Sequence, residues 1–526
     1  MHAAARLASL LALLVLLIAG CGGESSSGGD DPAALMPQGG VFYMEASVRP
    51  EGDKKEDALA AAGKVLRTDD PANRITELVN QAFADSGDEV KFDYARDIAP
   101  WLGEKAAFWV ALPGRQADEP PVAVAIATTD AEKAQESIDR ALEQDSDKEV
   151  SRSYEGVDYK VGGEDKTAVG IVDDFLVFGP EPSFKKVVDV AEKDGDSMAD
   201  SKAYKDSLNG LPEERLAHFF VDLKTGYEFA KRQDPASAQG LQQFEQLFDV
   251  SKLGPVTGSF TADGSKMALD TAATGDFARL IQQFGFITGS ASTPLVGELP
   301  GDSWGAYGVP KLGESAKGLY QKFAGALGGA AIQEQLRQQW GVDLEQDVFS
   351  WIGDAAIFVR GSSPSEIDGA LVIESTDDAA AERAIGKFLG ILRQQAGVDP
   401  QPTSIEGAEQ AFEIAAPGAP QQAVVARGEG RVVVSYGAAA ARDAFSPSSK
   451  LADSDMFKQG KAALGEYEPT FLLSMPAVLG LVDASPDGGD PSYQRARPYL
   501  DVFSTIASGG RVEGDRAESR VAVGLK

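Results

Sequence analysis

"FDYARDIAPWLGEKAAFWV" runs from Phe92 to Val110, and "VDLEQDVFSWIGDAAIFVR" runs from Val342 to Arg360, about 250 residues later. Each stretch places an aspartate, a second aspartate and a tryptophan four residues apart: Asp93, Asp97 and Trp101, then Asp343, Asp347 and Trp351. A branched apolar residue and a glycine follow, Gly103 or Gly353, and then an apolar run that reads as a strand. Four-residue spacing puts both carboxylates on one face of a helical turn. The tryptophan then anchors that turn to a sheet, and the glycine gives the backbone the freedom to enter the strand. A competing reading makes the aspartates a carboxylate site flanked by a stacking tryptophan. Recurrence of the motif in both halves of the chain favours architecture.

The correspondence extends outward from this motif in unchanged order. "VAVAIATTDAEKAQESIDRAL" (Val122 to Leu142) matches "GALVIESTDDAAAERAIGKFL" (Gly369 to Leu389), and "SMADSKAYKDSLNGLPEE" matches "KLADSDMFKQGKAALGEY". A series repeated in order points to an ancient duplication. Within each copy a strand meets a Thr-Asp pair that starts a helix. Thr129 and Glu132 fit a capping box, and Ala134, Ile138 and Leu142, or Ala384, Phe388 and Leu392, supply an apolar face. Paired short strands follow, with Asp173-Asp174 and Gly428-Glu429-Gly430 as turns. Hairpin-linked strands with helices between them predict an α+β fold of two tandem homologous units, each a largely antiparallel sheet with helices packed on it. The units are expected at 41–275 and 303–526, joined by a helix and linker over 276–302.

The N-terminus, "MHAAARLASLLALLVLLIAGCGG", carries one early positive charge, a short apolar run and small residues before Cys21, the pattern of an export signal over 1–20. Ile18, Ala19, Gly20 and Cys21 resemble the bacterial lipobox, which implies a diacylglycerated Cys21 as the new N-terminus. Cys21 is the only cysteine in the chain, so the mature protein has no disulfide. Glycine, serine and aspartate dominate 21–40 and predict a flexible tether. These features place the protein on the extracytoplasmic face of the cell membrane, or on the outer membrane of a cell that has one.

The chain has 526 residues, with 81 acidic against 49 basic side chains and a formal net charge of -32. Such a charge repels nucleic acid and anionic headgroups. After removal of the signal a single histidine is left, His218 in "LAHFFVDL", whose counterpart lies near Phe471. A position where phenylalanine replaces histidine reads as a sheet face rather than a general base. Histidine-based zinc motifs, Cys-His pairs, nucleotide-binding glycine loops and EF-hand spacing are all absent from the sequence. No cofactor, metal or catalytic residue is therefore expected.

The lipobox, the tether, "VFYMEASVRPEG" from Val41, the Asp-x-x-x-Asp-x-x-x-Trp-Leu-Gly motif and "SMADSKAYKDSLNGLP" together resemble an uncharacterised family of bacterial envelope lipoproteins, a domain of unknown function. The likeness is clearest from Val41 to Leu223 and weaker in the second half, where Trp304 to Pro310 replaces the "VFYMEASVRP" entry strand. The resemblance implies an exported, lipid-anchored protein and supplies no catalytic residue.

The leading functional expectation is a noncatalytic binding or scaffold protein, held at the membrane by its lipidated N-terminus, with an envelope protein or small ligand as partner. An apolar-ligand or lipid carrier is the first alternative, because "LQQFEQLF" and "FARLIQQFGF" carry apolar stripes. A carboxylate-dependent hydrolase is the second.

Overall fold

Strand pairing in the two halves of the chain follows one scheme. A computed structural model describes residues 31–85, 93–114, 120–143, 150–162, 166–233, 245, 249–283, 291–326, 329–415 and 418–526. Its contacts divide the chain into a first unit of Met1–Pro235 with Leu253–Ala272, and a second of Ala236–Lys252 with Ala273–Lys526. Cys21, Ile18, Ala19 and Gly20 lie outside the described residues.

The strands of the first unit are β1 (Phe42–Ser47), β2 (Leu102–Val110), β3 (Val122–Thr128), β4 (Val150–Tyr154), β5 (Val157–Gly162), β6 (Thr167–Val172), β7 (Phe175–Pro180), β8 (Ala217–Val221), β9 (Leu253–Ala262) and β10 (Lys266–Gly275), whose last three residues fall in the second unit. Neighbour by neighbour their order is β4-β5-β6-β7-β3-β2-β1-β8-β9-β10, and the pairs from β4 through β9 are antiparallel. In the second unit the strands are β11 (Gly305–Val309), β12 (Ile352–Arg360), β13 (Asp368–Ser375), β14 (Gln401–Thr403), β15 (Gln410–Ile414), β16 (Ala423–Gly428), β17 (Arg431–Tyr436), β18 (Phe471–Ser474), β19 (Phe503–Glu513) and β20 (Arg516–Leu525). Their order is β14-β15-β16-β17-β13-β12-β11-β18-β19-β20, antiparallel throughout. The protein is an α+β fold built on largely antiparallel sheet.

Helices cover both faces of the first unit's sheet because alternate residues of its central strands are apolar on both sides. One face packs Ala107, Trp109, Ala125 and Val177 against Leu35, Met36 and the helix Glu181–Glu192. The other packs Ala106, Val124, Ile126 and Phe178 against the helices Pro71–Asp85 and Ala131–Glu143. In the second unit the helix Asp378–Ile391 buries Ala381, Ile385 and Leu389 against Ala355, Ile373 and Val432.

Three local expectations are corrected. The helix at 131 is capped by Asp130, whose carboxylate accepts the Lys133 amide at 3.1 Å, while the Thr129 amide donates to the Trp101 carbonyl at 2.8 Å. The carboxylate competes better for free helix amides than the hydroxyl next to it. The buried stripe of the second unit's helix is Ala381, Ile385 and Leu389, one that leaves Phe388 exposed. Finally, the expected tether is packed from Asp31 onward: Asp31 caps the short helix Pro32–Leu35, and Ala33, Leu35 and Met36 are buried in the core. Apolar surface at 33–36 has a sheet to bury against, which outweighs the glycine-rich local composition.

The turns fall where expected. Asp173 and Glu429 adopt positive φ, of 49° and 53°, at the β6–β7 and β16–β17 hairpins, the conformation that Asp and Gly-flanked positions tolerate in tight turns. No helix among the described residues is long and apolar enough to cross a membrane.

Candidate functional site

The repeated motif forms a π-helical turn in each unit, Tyr94–Ile98 and Leu344–Phe349. In the first, the Asp93 carboxylate caps the turn by accepting the Arg96 amide at 2.9 Å, and the Asp93 amide donates to the Asp97 carboxylate at 2.9 Å. Asp97 is buried and lies between two guanidinium groups, Arg96 at 2.7 Å and Arg140 from the helix Ala131–Glu143. Burial pushes the Asp97 carboxyl up, but Arg96, the Asp93 amide and Arg140 outweigh it and hold the group below the usual carboxylate range. The Trp101 indole donates to the Asp97 carbonyl at 2.6 Å and to Ser137 Oγ at 3.0 Å. Gly103 is required by close approach: a Cβ there would stand 2.7 Å from Ala127 Cβ and from the Ala127 carbonyl oxygen.

The second unit repeats the arrangement with different side chains. Asp343 accepts the Glu345 and Gln346 amides at 3.0 and 3.1 Å, and its own amide donates to Asp347 at 2.8 Å. Lys387 pairs with Asp347 at 2.6 Å, from the helix position Arg140 holds in the first unit. Trp351 donates to the Asp347 carbonyl at 3.0 Å, and a Cβ on Gly353 would meet the Glu374 carbonyl oxygen at 3.0 Å. All eight motif residues therefore tie a turn, a helix and a strand together. The tryptophans are buried, so neither presents a ring face to a ligand.

His218 is buried on β8. Arg215 Nε donates to its Nδ1 at 3.4 Å, which leaves the proton of the neutral ring on Nε2, 2.8 Å from the Tyr204 hydroxyl. Burial and the charges of Arg215 and Lys105 pull its pKa down to about 3, so the ring is neutral across the physiological range. The register places its counterpart beside Phe471. Phe219 and Phe471 both face the middle of the neighbouring strand, opposite Met44 and Tyr307, so His218 corresponds to Thr470. Among the described residues no group of three His, Cys, Asp or Glu side chains is placed to hold a metal ion.

The two units differ in what they leave uncovered. In the first, Phe178, Val124, Phe108, Met44 and Phe219 stand opposite one another across five strands. In the second the equivalent row is Val434, Leu371, Ile357, Tyr307 and Phe471. Phe178 is 2% exposed and Val434 41%, and Ile357 is 44% exposed. Flanking helices repeat the difference. Asn80 on the helix Pro71–Asp85 accepts the Tyr94 amide at 2.7 Å, and Gln333 on the helix Gly329–Trp340 accepts the Leu344 amide at 3.3 Å, so these helices grip the same point of the motif. Yet Ile75, Val79 and Phe83 are buried, whereas Ile332 and Trp340 are 51% and 43% exposed. Likewise Ala141 is buried and Phe388, at the equivalent helix position, is 46% exposed.

Residues 53–480 match the family described as "Protein of unknown function (DUF3352)". The chain belongs to this family. Comparison with curated proteins finds no match. Two solved structures of TP0453, crystal forms IV and I, are each 12% identical to this DUF3352 chain, covering 49% and 47% of it and 85% and 79% of their own length, at a TM-score of 0.25. A likeness at that score carries no argument about function.

Sequence reasoning located the motif but not the exposed Ile357 and Val434. Ile357, Leu371 and Val434 lie in ordinary strand patterns, and Ile332, Leu336 and Trp340 in an ordinary helical stripe at four-residue spacing. The stripe itself is the only local signal, and the buried Ile75, Val79 and Phe83 give the same one.

Proposed function

We propose that this DUF3352 protein is a noncatalytic binding protein of the bacterial cell envelope, exported by the signal at 1–20 and anchored through a lipidated Cys21. One observation carries the binding role: the second unit exposes Val434 and Phe388 where the first unit buries Phe178 and Ala141, and it exposes Ile357, Ile332 and Trp340 besides. Monomeric proteins keep contiguous apolar surface small, and larger uncovered patches mark interaction sites. The noncatalytic part of the reading is supported by the motif carboxylates, which are engaged in caps and ion pairs, and by the neutral, hydrogen-bonded His218. The anchor rests on the lipobox-like Ile18-Ala19-Gly20-Cys21.

Native mass spectrometry of the mature protein, extracted gently from its own membranes, tests both parts. A diacylglycerol-bearing N-terminal cysteine with a reproducible bound molecule or protein is the expected result. An unmodified N-terminus refutes the anchor, and a bare, monodisperse mass refutes the binding role.

A further inference from the structure

Five apolar side chains cross the second unit's sheet in one straight line: Phe471, Tyr307, Ile357, Leu371 and Val434. Adjacent strands lie about 4.8 Å apart, so the line is roughly 19 Å long, the scale of an extended long acyl chain. No ionisable group stands in it except the Tyr307 phenol, whose ring meets Phe471 edge to face at 6.5 Å.

The backbone beneath the line is already paired on both sides of β11, β12, β13 and β17. A polypeptide lying there would have no main-chain partner to gain, whereas a hydrocarbon chain needs none. The helix Asp378–Ile391 packs on the same sheet face through Ala381, Ile385 and Leu389. A helix stands about 10 Å across, so the line is a floor beside a wall. A flat membrane would meet the helix first. The formal net charge of -32 sets a second copy of the chain and an anionic amphiphile at a disadvantage.

Resting on the binding role proposed above, we infer that this line, in which Ile357 and Val434 are exposed and Leu371, Tyr307 and Phe471 are partly buried, is the binding site for a single acyl chain of a lipid with a zwitterionic headgroup. In the first unit the core is closed by Val79 and Phe83 against Val124 and Phe178. In the second, Val434 at the position of Phe178 is 41% exposed, and the ligand's chain covers it.

The test titrates the full chain with 1-palmitoyl lysophosphatidylcholine below its micelle concentration, read by calorimetry and native mass spectrometry. One-to-one saturable binding is expected, weakened at least tenfold by the pair Ile357→Asn and Val434→Asn and unchanged by Val150→Asn on the edge strand β4. Because Ile357 and Val434 are exposed, the paired variant should keep the wild-type melting temperature. A second readout uses lysophosphatidylcholine with a brominated chain: it should quench Ile357→Trp, which carries its indole in the row, more than the wild type. Binding that is undiminished in the paired variant, or quenching no greater in Ile357→Trp than in the wild type, overturns this site. Adsorption to phosphatidylcholine vesicles with no binding of dispersed lysolipid overturns the single-lipid occupant. A protein partner or self-association that covers the row, with no lipid bound, also overturns it while leaving the broader binding role standing.

Discussion

The Trp101 indole donates to the Asp97 carbonyl at 2.6 Å, and Trp351 makes the same bond to Asp347 at 3.0 Å. That shared bond holds a π-helical turn whose free amides are capped by Asp93 or Asp343. The two copies differ in charge pairing. Asp97 is fully buried between two arginines, while Asp347 has one lysine and keeps some solvent contact.

Asn at 97 cannot match the ionised acceptor that Arg96, Arg140 and the Asp93 amide address, and leaving a buried polar site with a poorer acceptor costs about 1–3 kcal/mol. Asp97→Asn should therefore destabilise the first unit by about 3 kcal/mol. Asp347→Asn, which has a single half-exposed partner in Lys387 and keeps some solvent contact, should cost about 1 kcal/mol or less. Urea unfolding of the two variants, followed by tryptophan fluorescence, measures both. Equal losses would refute the burial argument.

The Asp97 carboxyl is held below its ordinary value in the folded protein. Its stabilising contribution is complete above the unfolded carboxyl's pKa and fades as pH falls through the lower folded value. Glu181 behaves alike: Lys185, Tyr159 and Arg152 carry it down to about 2 against the opposing effect of burial. Glu181→Gln should lower stability at neutral pH, with the difference from wild type narrowing through the window from about 4.5 to about 2. Melting temperature against pH for both proteins reads this directly.

His218 works in the opposite chemical sense with the same pH sign. Its folded pKa of about 3 lies below its ordinary 6.5, so the unfolded chain binds the proton first, and acidification through that window destabilises the fold. Replacement with the residue of the other unit, His218→Thr, should remove this slope. An NMR titration of the wild type should show no imidazole transition between pH 5 and 8.

Ala141 and Phe388 occupy equivalent helix positions with opposite burial. Ala141→Phe overpacks a closed core and should cost about 1–3 kcal/mol. Phe388→Ala should fall within about 0.5 kcal/mol of wild type. Thermal melts of the pair provide the comparison.

Gly103→Ala should destabilise more than Gly353→Ala. The new Cβ meets Ala127 Cβ and backbone at 2.7 Å in the first case and a carbonyl oxygen at 3.0 Å in the second. Chemical denaturation of each variant checks the order.

Much of the architecture was legible in local sequence because local chemistry sets it. Strand alternation, Asp-rich turns at 173–174 and the spacing of Asp97 and Trp101 act over a few residues, and each produced the expected element. The exact opposition of residues was not local. Between Leu102 and Ala106 four positions of β2 span two of β3, whereas between Ile352 and Ala355 three positions of β12 span two of β13. That one-residue difference in a bulge makes Ile357 the counterpart of Phe108 rather than of Ala107, a change invisible to a constant sequence offset.

Burial was likewise decided only by the tertiary structure. The stripes Ile75-Val79-Phe83 and Ile332-Leu336-Trp340 have the same spacing and apolar character, and each helix grips its motif through a side-chain amide. One is covered and the other open because burial depends on which surface packs opposite, and that surface comes from strands distant in the chain. The sequence by itself determined the repeated motif and the order of elements around it. Long-range packing determined which unit buried Phe178 and which left Val434 and Ile357 exposed.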